Sequence, residues 1–188
     1  MGNAIILVGI KHSGKSTQGK LLAQKLNYDF IDLDDVITQI SGLSPRDLYK
    51  QNGKNAFIEQ EFNASKKIID DFSQKNLVLA TGGGICDNQN AINLLKNFGK
   101  FIFLKVDEEV AFSRIIKKVT FENGIWQNLP AYIEKENPKS FDDAKTIFHN
   151  FYTKRTEIYQ NLADFTVELS KNTKEQNCKI ILENLSLA

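Results

Sequence analysis

Gly9-Ile10-Lys11-His12-Ser13-Gly14-Lys15-Ser16 meets G-x-x-x-x-G-K-[ST] at each fixed position. Such a run builds a phosphate cradle. Its glycines let the backbone curl until successive N–H groups face one anion, and the helix that follows adds the partial positive charge of its N-terminus. Lys15 is then placed to bridge the β- and γ-phosphates of ATP, and the Ser16 hydroxyl to ligate Mg²⁺. The required context is present: an apolar run ends at Val8, and Lys15 to Leu26 continues as a helix without proline. The match at every fixed position argues against a strand-turn-helix with an incidental lysine.

A second group of residues could handle the acceptor. Asp32 and Asp34 close an apolar run read as a strand over Phe30–Leu33, and strand alternation puts both on one face. That is the carboxyl end, where open α/β sheets bind ligands. Phosphoryl transfer uses one carboxylate in the metal shell and often another to orient or deprotonate the attacking hydroxyl. The competing reading makes Asp34 or Asp35 the N-cap of the next helix. Thr81-Gly82-Gly83-Gly84 is either a flexible turn or a stretch of bare backbone for a substrate to lie against. Arg46, Arg114 and Arg155 stand among 21 lysines, which makes each arginine a candidate for planar anion recognition. The His12 imidazole is expected to face solvent, and His149 to lie on a helix surface.

Positioning these groups calls for an α/β domain, read as one unit over 1–188. Short apolar runs at Ala4–Val8, Phe30–Leu33, Leu77–Ala80, Phe101–Lys105 and Phe165–Leu169 alternate with helical patterns, as in a parallel sheet flanked by helices. Ala91, Leu94, Leu95 and Phe98 follow a helical period behind a cap at Asp87. Phe112, Ile115, Ile116 and Val119 do so behind Asp107, and Ile58, Phe62, Ser65, Ile69 and Phe72 form the stripe of Asn55–Gln74. Thr120 to Lys139, with Gly124, Trp126, Pro130 and Pro138, shows no clean period and is read as a mobile lid, about 119–139, rather than a surface insertion.

The net charge of +1 supplies no global field for nucleic acid or an anionic membrane, so any anion site is local. Ala4–Val8 is too short for a signal peptide or a span, and Ile6 replaces the Ser or Thr that would make Met1-Gly2 a myristoylation signal. Cys86 and Cys178 match no metal spacing; Cys178 sits on an apolar stripe with Ile181, Leu182 and Leu185 and is expected to be buried. A reducing cytoplasm and a monomer are expected.

Together these pieces resemble the shikimate kinase family. The resemblance rests on the GIKHSGKST loop, Asp32-x-Asp34, Gly53-x-x-x-Phe57-x-x-x-Glu61, the Gly82-Gly83-Gly84 turn and Lys154-Arg155-x-x-x-Tyr159. It implies the three-layer P-loop fold of nucleoside monophosphate kinases, a five-stranded parallel sheet of order 2-3-1-4-5 with a lid. The implied reaction is ATP plus shikimate giving ADP and shikimate 3-phosphate. The implied ATP contacts are His12, Ser13, Gly14, Lys15, Ser16 and Thr17, with Arg114. Ser16 and Asp32 match the Mg²⁺ positions, Asp34 the candidate base, and Asp34, Lys54, Glu61, Gly82, Gly83, Gly84 and Arg155 the acceptor site.

The resemblance breaks at two places. The family pattern carries Glu and Arg where this chain has Lys54 and Ile58, and Arg-Pro-Leu in the lid where Leu129-Pro130-Ala131 stands. Lys117, Lys118 and Lys135 are the cations near enough in sequence to replace the lid arginine. Two alternatives follow: a kinase of another small polyol or hydroxy-acid, or an inactive ATP-binding regulatory module. Retention of Lys15, Ser16, Asp32 and Asp34 argues against the latter.

Overall fold

A computed structural model describes residues 3–122, 125–169 and 173–186; Met1-Gly2 and Gly124 lie outside the described residues. Strands β1 (Ala4–Val8) and β3 (Leu77–Ala80) are buried at every position, as a continuous apolar run in a covered parallel sheet must be. They lie beside β2 (Asp29–Asp32), β4 (Gly99–Val106) and, after a separate hairpin of β5 (Thr120–Glu122) and β6 (Ile125–Gln127), β7 (Phe165–Leu169). The sheet runs β2-β3-β1-β4-β7, parallel at every pairing. With β7 as the fifth member, this is the expected 2-3-1-4-5 order.

Helices α1 (Lys15–Leu26) and α8 (Lys174–Ser186) pack with Ile5, Leu7, Ile102 and Leu104 on one face of the sheet. The larger core on the other face takes residues from α2 (Leu33–Ser41), α3 (Pro45–Phe72), α4 (Gln89–Lys96), α5 (Glu108–Ile116), α6 (Ala131–Glu134) and α7 (Phe141–Leu162). Cys178 is buried and neither cysteine is bridged. Among the described residues no helix is long and apolar enough to cross a membrane.

The structure redraws several local expectations. Leu33 belongs to α2, because Asp32 ends the strand by capping that helix. The cap of α4 is Asn88 and not Asp87, which sits in a 3-10 turn at Ile85–Asp87. Helix α3 begins at Pro45 behind the Ser44 cap and breaks at Gly53, whose φ of 83° and ψ of 179° interrupt the helix. Its buried face is Glu61, Ala64, Ser65 and Ile68, turned about one residue from the apolar stripe. Hydrophobicity alone misreads this face because a hydrogen-bonded glutamate occupies the interior.

The aperiodic segment has structure of its own. In the β5–β6 hairpin Phe121 stacks on Trp126 with ring centroids 4.2 Å apart, and Phe141 meets the Trp126 edge-on at 5.0 Å. Trp126 Nε1 donates to the Pro138 carbonyl at 2.8 Å, while Leu129 and Ile133 enter the core.

Candidate active site

The phosphate loop leaves β1 at Gly9, whose φ of +147° is a glycine conformation; a Cβ there would lie 2.8 Å from the Leu104 carbonyl oxygen. At the other end Gly14, left-handed at φ 99°, caps α1 without a side-chain bond. The first-turn N–H groups of α1 are thereby free for an anion. Between them Lys15 is 7% exposed and its Nζ donates to the Gly9 and Ile10 carbonyls at 2.8 and 2.9 Å. Burial lowers its pKa to about 8, against the pull of Asp34 and Asp32.

His12 is half-buried rather than solvent-facing and adopts a left-handed φ of 66°. Burial, then the charges of Lys11, Lys118, Lys15 and Arg114, pushes its pKa down to about 4 and keeps the ring neutral at pH 7. Arg114 Nη1 donates to the His12 carbonyl at 2.8 Å, bracing the loop from α5. Ser13 is buried, whereas Ser16 and Thr17 are exposed. Of the lysines near Leu129-Pro130-Ala131 in sequence, Lys118 exerts its charge on the loop, while Lys135 pairs with Glu136 at 3.5 Å. His149 lies on the surface of α7, 2.9 Å from Glu108.

Asp32 joins the loop to the acceptor side. Its Oδ2 accepts from Ser16 Oγ at 2.5 Å, and its Oδ1 accepts from Asp34 N at 3.1 Å as the α2 cap. The cap therefore falls on Asp32, and helix geometry, not strand alternation, directs Asp34. Burial, then the Asp32 charge, raises the Asp34 pKa. A Cβ on Gly82 would meet Asp34 Oδ1 at 3.0 Å and Glu61 Oε1 at 3.5 Å, so both carboxylates border the bare Gly82 backbone. A Cβ on Gly83 would meet Lys11 N at 2.6 Å, so the triplet rests directly on the phosphate loop. Gly84 faces open space.

Glu61 is 1% exposed; its Oε2 accepts from Asn88 Nδ2 at 3.0 Å, and its Oε1 meets no donor among the described residues. Burial raises its pKa to about 7; the Asn88 hydrogen bond and Arg155 oppose the rise, while Asp34 and Asp87 add to it. Arg155 reaches from α7 to the Cys86 sulfur and the Asp87 carboxylate, its guanidinium 5.1 Å over the Phe151 ring. Burial disfavours its charge, yet the Asp87 hydrogen bond and the Cys86 and Asp87 charges raise its pKa overall. One turn on, the Tyr159 hydroxyl donates to the Gly83 carbonyl at 3.0 Å. Lys54 is exposed and Ile58 half-buried on the face that leads inward to Glu61.

Sequence reasoning brought Asp34, Glu61, Gly82 and Gly83 into one site, and the structure places them together. It missed Asn88, although Asn before a helical pattern is a cap signal. It also missed the partnership of Cys86 and Asp87 with Arg155, which no spacing announces.

The model of the family described as shikimate kinase matches residues 11–186. The chain belongs to the shikimate kinase family. Over 184 residues it is 34% identical to a shikimate kinase of Macrococcus caseolyticus, covering 96% of this chain and 98% of that protein. It is 31% identical over 182 residues to that of Aquifex aeolicus, covering 95% and 94%. A solved shikimate kinase from Bacteroides thetaiotaomicron superposes with a TM-score of 0.78 at 26% identity, covering 98% of both chains. One from Acinetobacter baumannii, in complex with shikimate, has the same fold, with a TM-score of 0.80 at 24% identity over 100% of this chain and 94% of that one. The family is one of ATP-using kinases with an alcohol acceptor, which accounts for a phosphate loop beside a polar pocket.

Proposed function

We propose that the protein transfers the γ-phosphoryl group of ATP to the 3-hydroxyl of shikimate, giving shikimate 3-phosphate and ADP. One observation carries this reading beyond the family: Gly83 packs on the loop backbone at Lys11 while the adjacent Gly82 is bordered by Asp34 and Glu61. A phosphate held in the loop and a hydroxyl held by carboxylates would then be neighbours. Asp34 orients the attacking hydroxyl and takes its proton; burial lifts its pKa in the direction a base needs near neutral pH. Lys15 and the N–H groups of Gly14 to Thr17 hold the phosphates, with Arg114 keeping the loop in shape.

Ser16 and Asp32 bring a hydroxyl and a carboxylate oxygen within 2.5 Å of each other, a hard-oxygen pair that fits Mg²⁺ with phosphate and water as its other ligands. When bound there, Mg²⁺ would offset negative charge on the phosphates. At the far end of the pocket Arg155 offers the acceptor carboxylate the N–H donors that Cys86 and Asp87 leave free. Segment 119–139, anchored in the core through Leu129 and Ile133, is the part of the chain we assign to cover the nucleotide as a lid.

Measuring ADP release with shikimate, quinate, gluconate and nucleoside monophosphates tests the assignment. Shikimate is expected to give the highest kcat/KM by at least about tenfold, a difference of roughly 1.4 kcal/mol. Ile58, in a position where the family pattern has arginine, favours one competing outcome, a hydroxy-acid with a differently placed carboxylate. Faster turnover of quinate than of shikimate would establish that outcome.

A further inference from the structure

Asn88 is 2% exposed, and each polar atom of its side chain is engaged. Its Nδ2 donates to the Ile58 carbonyl at 2.8 Å and to Glu61 Oε2 at 3.0 Å, while its Oδ1 accepts from Ala91 N at 3.2 Å. The last of these caps α4, a task that Ser, Thr or Asp performs equally well. The two donated bonds are different. Asp has no donor and Ser or Thr has one, so the full set demands the amide. What the amide gains is control of Glu61: one carboxylate oxygen is tied down, and the other is left buried, without a donor among the described residues, facing the Gly82 backbone beside Asp34.

We propose that Asn88 is a positioning residue of the acceptor site: by holding Glu61 Oε2 it keeps Oε1 turned toward the space beside Gly82 and Asp34, where Oε1 accepts a hydrogen bond from a hydroxyl of the acceptor. This rests on the reading of Asp34, Glu61 and Gly82 as the acceptor pocket. It adds a donor-matching rule: the acceptor presents one hydroxyl to Asp34 and a second donor to Glu61, as a polyhydroxy acid does. The charged groups facing Glu61 are Asp34 from α2, Asp87 from the 3-10 turn and Arg155 from α7. With burial they place its titration at about 7, and the Asn88 hydrogen bond works against the rise. A carboxylate accepts more strongly than a carboxylic acid. Acceptor kcat/KM therefore climbs as pH rises through about 7, and the position of that limb depends on Asn88.

The test uses the full chain, saturating ATP and whichever acceptor of the panel turns over fastest, so a wrong guess about shikimate leaves it intact. Asn88→Asp keeps the cap and the size, removes both donors and sets an anion beside Glu61. The expected result is an acceptor KM raised about tenfold with kcat within about twofold, equivalent to losing one good hydrogen bond. The acid limb of kcat/KM should move to higher pH. In Glu61→Gln the part of that limb near pH 7 should be lost, and adding Asn88→Asp to it should change KM by less than about twofold, since coupled residues are not additive. A KM and acid limb unchanged in Asn88→Asp, or effects that add in the double variant, would overturn the proposal. If Asn88→Asp does not fold, the decision falls to Glu61→Gln: loss of the limb near pH 7 supports the proposal, and an unmoved limb overturns it.

Discussion

Between Gly9 and Ser16 the phosphate loop is made of eight consecutive residues and relies mostly on backbone: two glycines at positive φ, a helix start and a lysine held by the loop's own carbonyls. The acceptor pocket is assembled otherwise. Asp34, Glu61, Gly82, Asn88 and Arg155 come from α2, α3, the triplet turn, the α4 cap and α7; a side-chain hydrogen bond joins Asn88 to Glu61, and another joins Arg155 to Asp87 in the neighbouring turn. A device written in consecutive residues fails or works as a unit. One collected from five segments can be retuned residue by residue.

That contrast is open to measurement. Lys15→Ala removes the charge meant for the β/γ-phosphates, and turnover should fall about a thousandfold, with a smaller loss of ATP affinity. Near-normal turnover would end the loop's assigned role. The same lysine, at about 8, should give the wild type an alkaline limb, activity declining as pH rises through that value. On the acceptor side Asp34→Asn should cost about a hundredfold in kcat with ATP affinity retained. An equal drop in ATP affinity would move Asp34 to the nucleotide half, beside Ser16 and Asp32.

Glu61→Gln gives a stability readout for the acceptor half alone. A carboxyl raised from 4.5 to about 7 binds its proton more tightly in the folded protein, so its contribution is present below pH 4.5 and is lost as pH climbs through about 7. At pH 8 the native Glu61 is a buried anion, and its replacement should stabilise the fold by about 3 kcal/mol relative to the effect at pH 4. Melting curves at the two pH values check this; a variant no more stable at pH 8 than at pH 4 would show Glu61 to be well solvated as an anion. Smallest is Ile58→Arg. A guanidinium at this half-buried site should lower shikimate KM about tenfold, one charge-assisted hydrogen bond's worth. A lower melting temperature with no gain in KM would assign Ile58 to packing instead.

The same contrast governs how far the sequence could be read. The loop, the strand order and the caps at Ser44 and Asp107 depend on neighbours in sequence or on a family pattern, although the apolar stripe of Asn55–Gln74 lies beyond the Gly53 break and does not point back to Ser44. Asp32 was legible as a site residue but not as a cap, since three of the four residues from Asp32 to Asp35 are aspartates and any of them satisfies the rule. The β5–β6 hairpin stayed hidden because strands of three residues carry no period; rings 4.2 Å apart across the ladder hold it together. Glu61 as an interior residue, and Asp87 as the partner of Arg155, are tertiary facts. They appear once α3, the triplet turn and α7 are brought together.

Gly83 has a further consequence. With no space for even a methyl group between it and Lys11, the partition between the two halves is a single layer of main chain. On the assignments proposed above, each ligand leans on the opposite side of that layer, so neither can move it unnoticed by the other. Linkage then makes the conversation symmetrical: the factor by which bound nucleotide alters the acceptor's dissociation constant is the factor by which bound acceptor alters the nucleotide's.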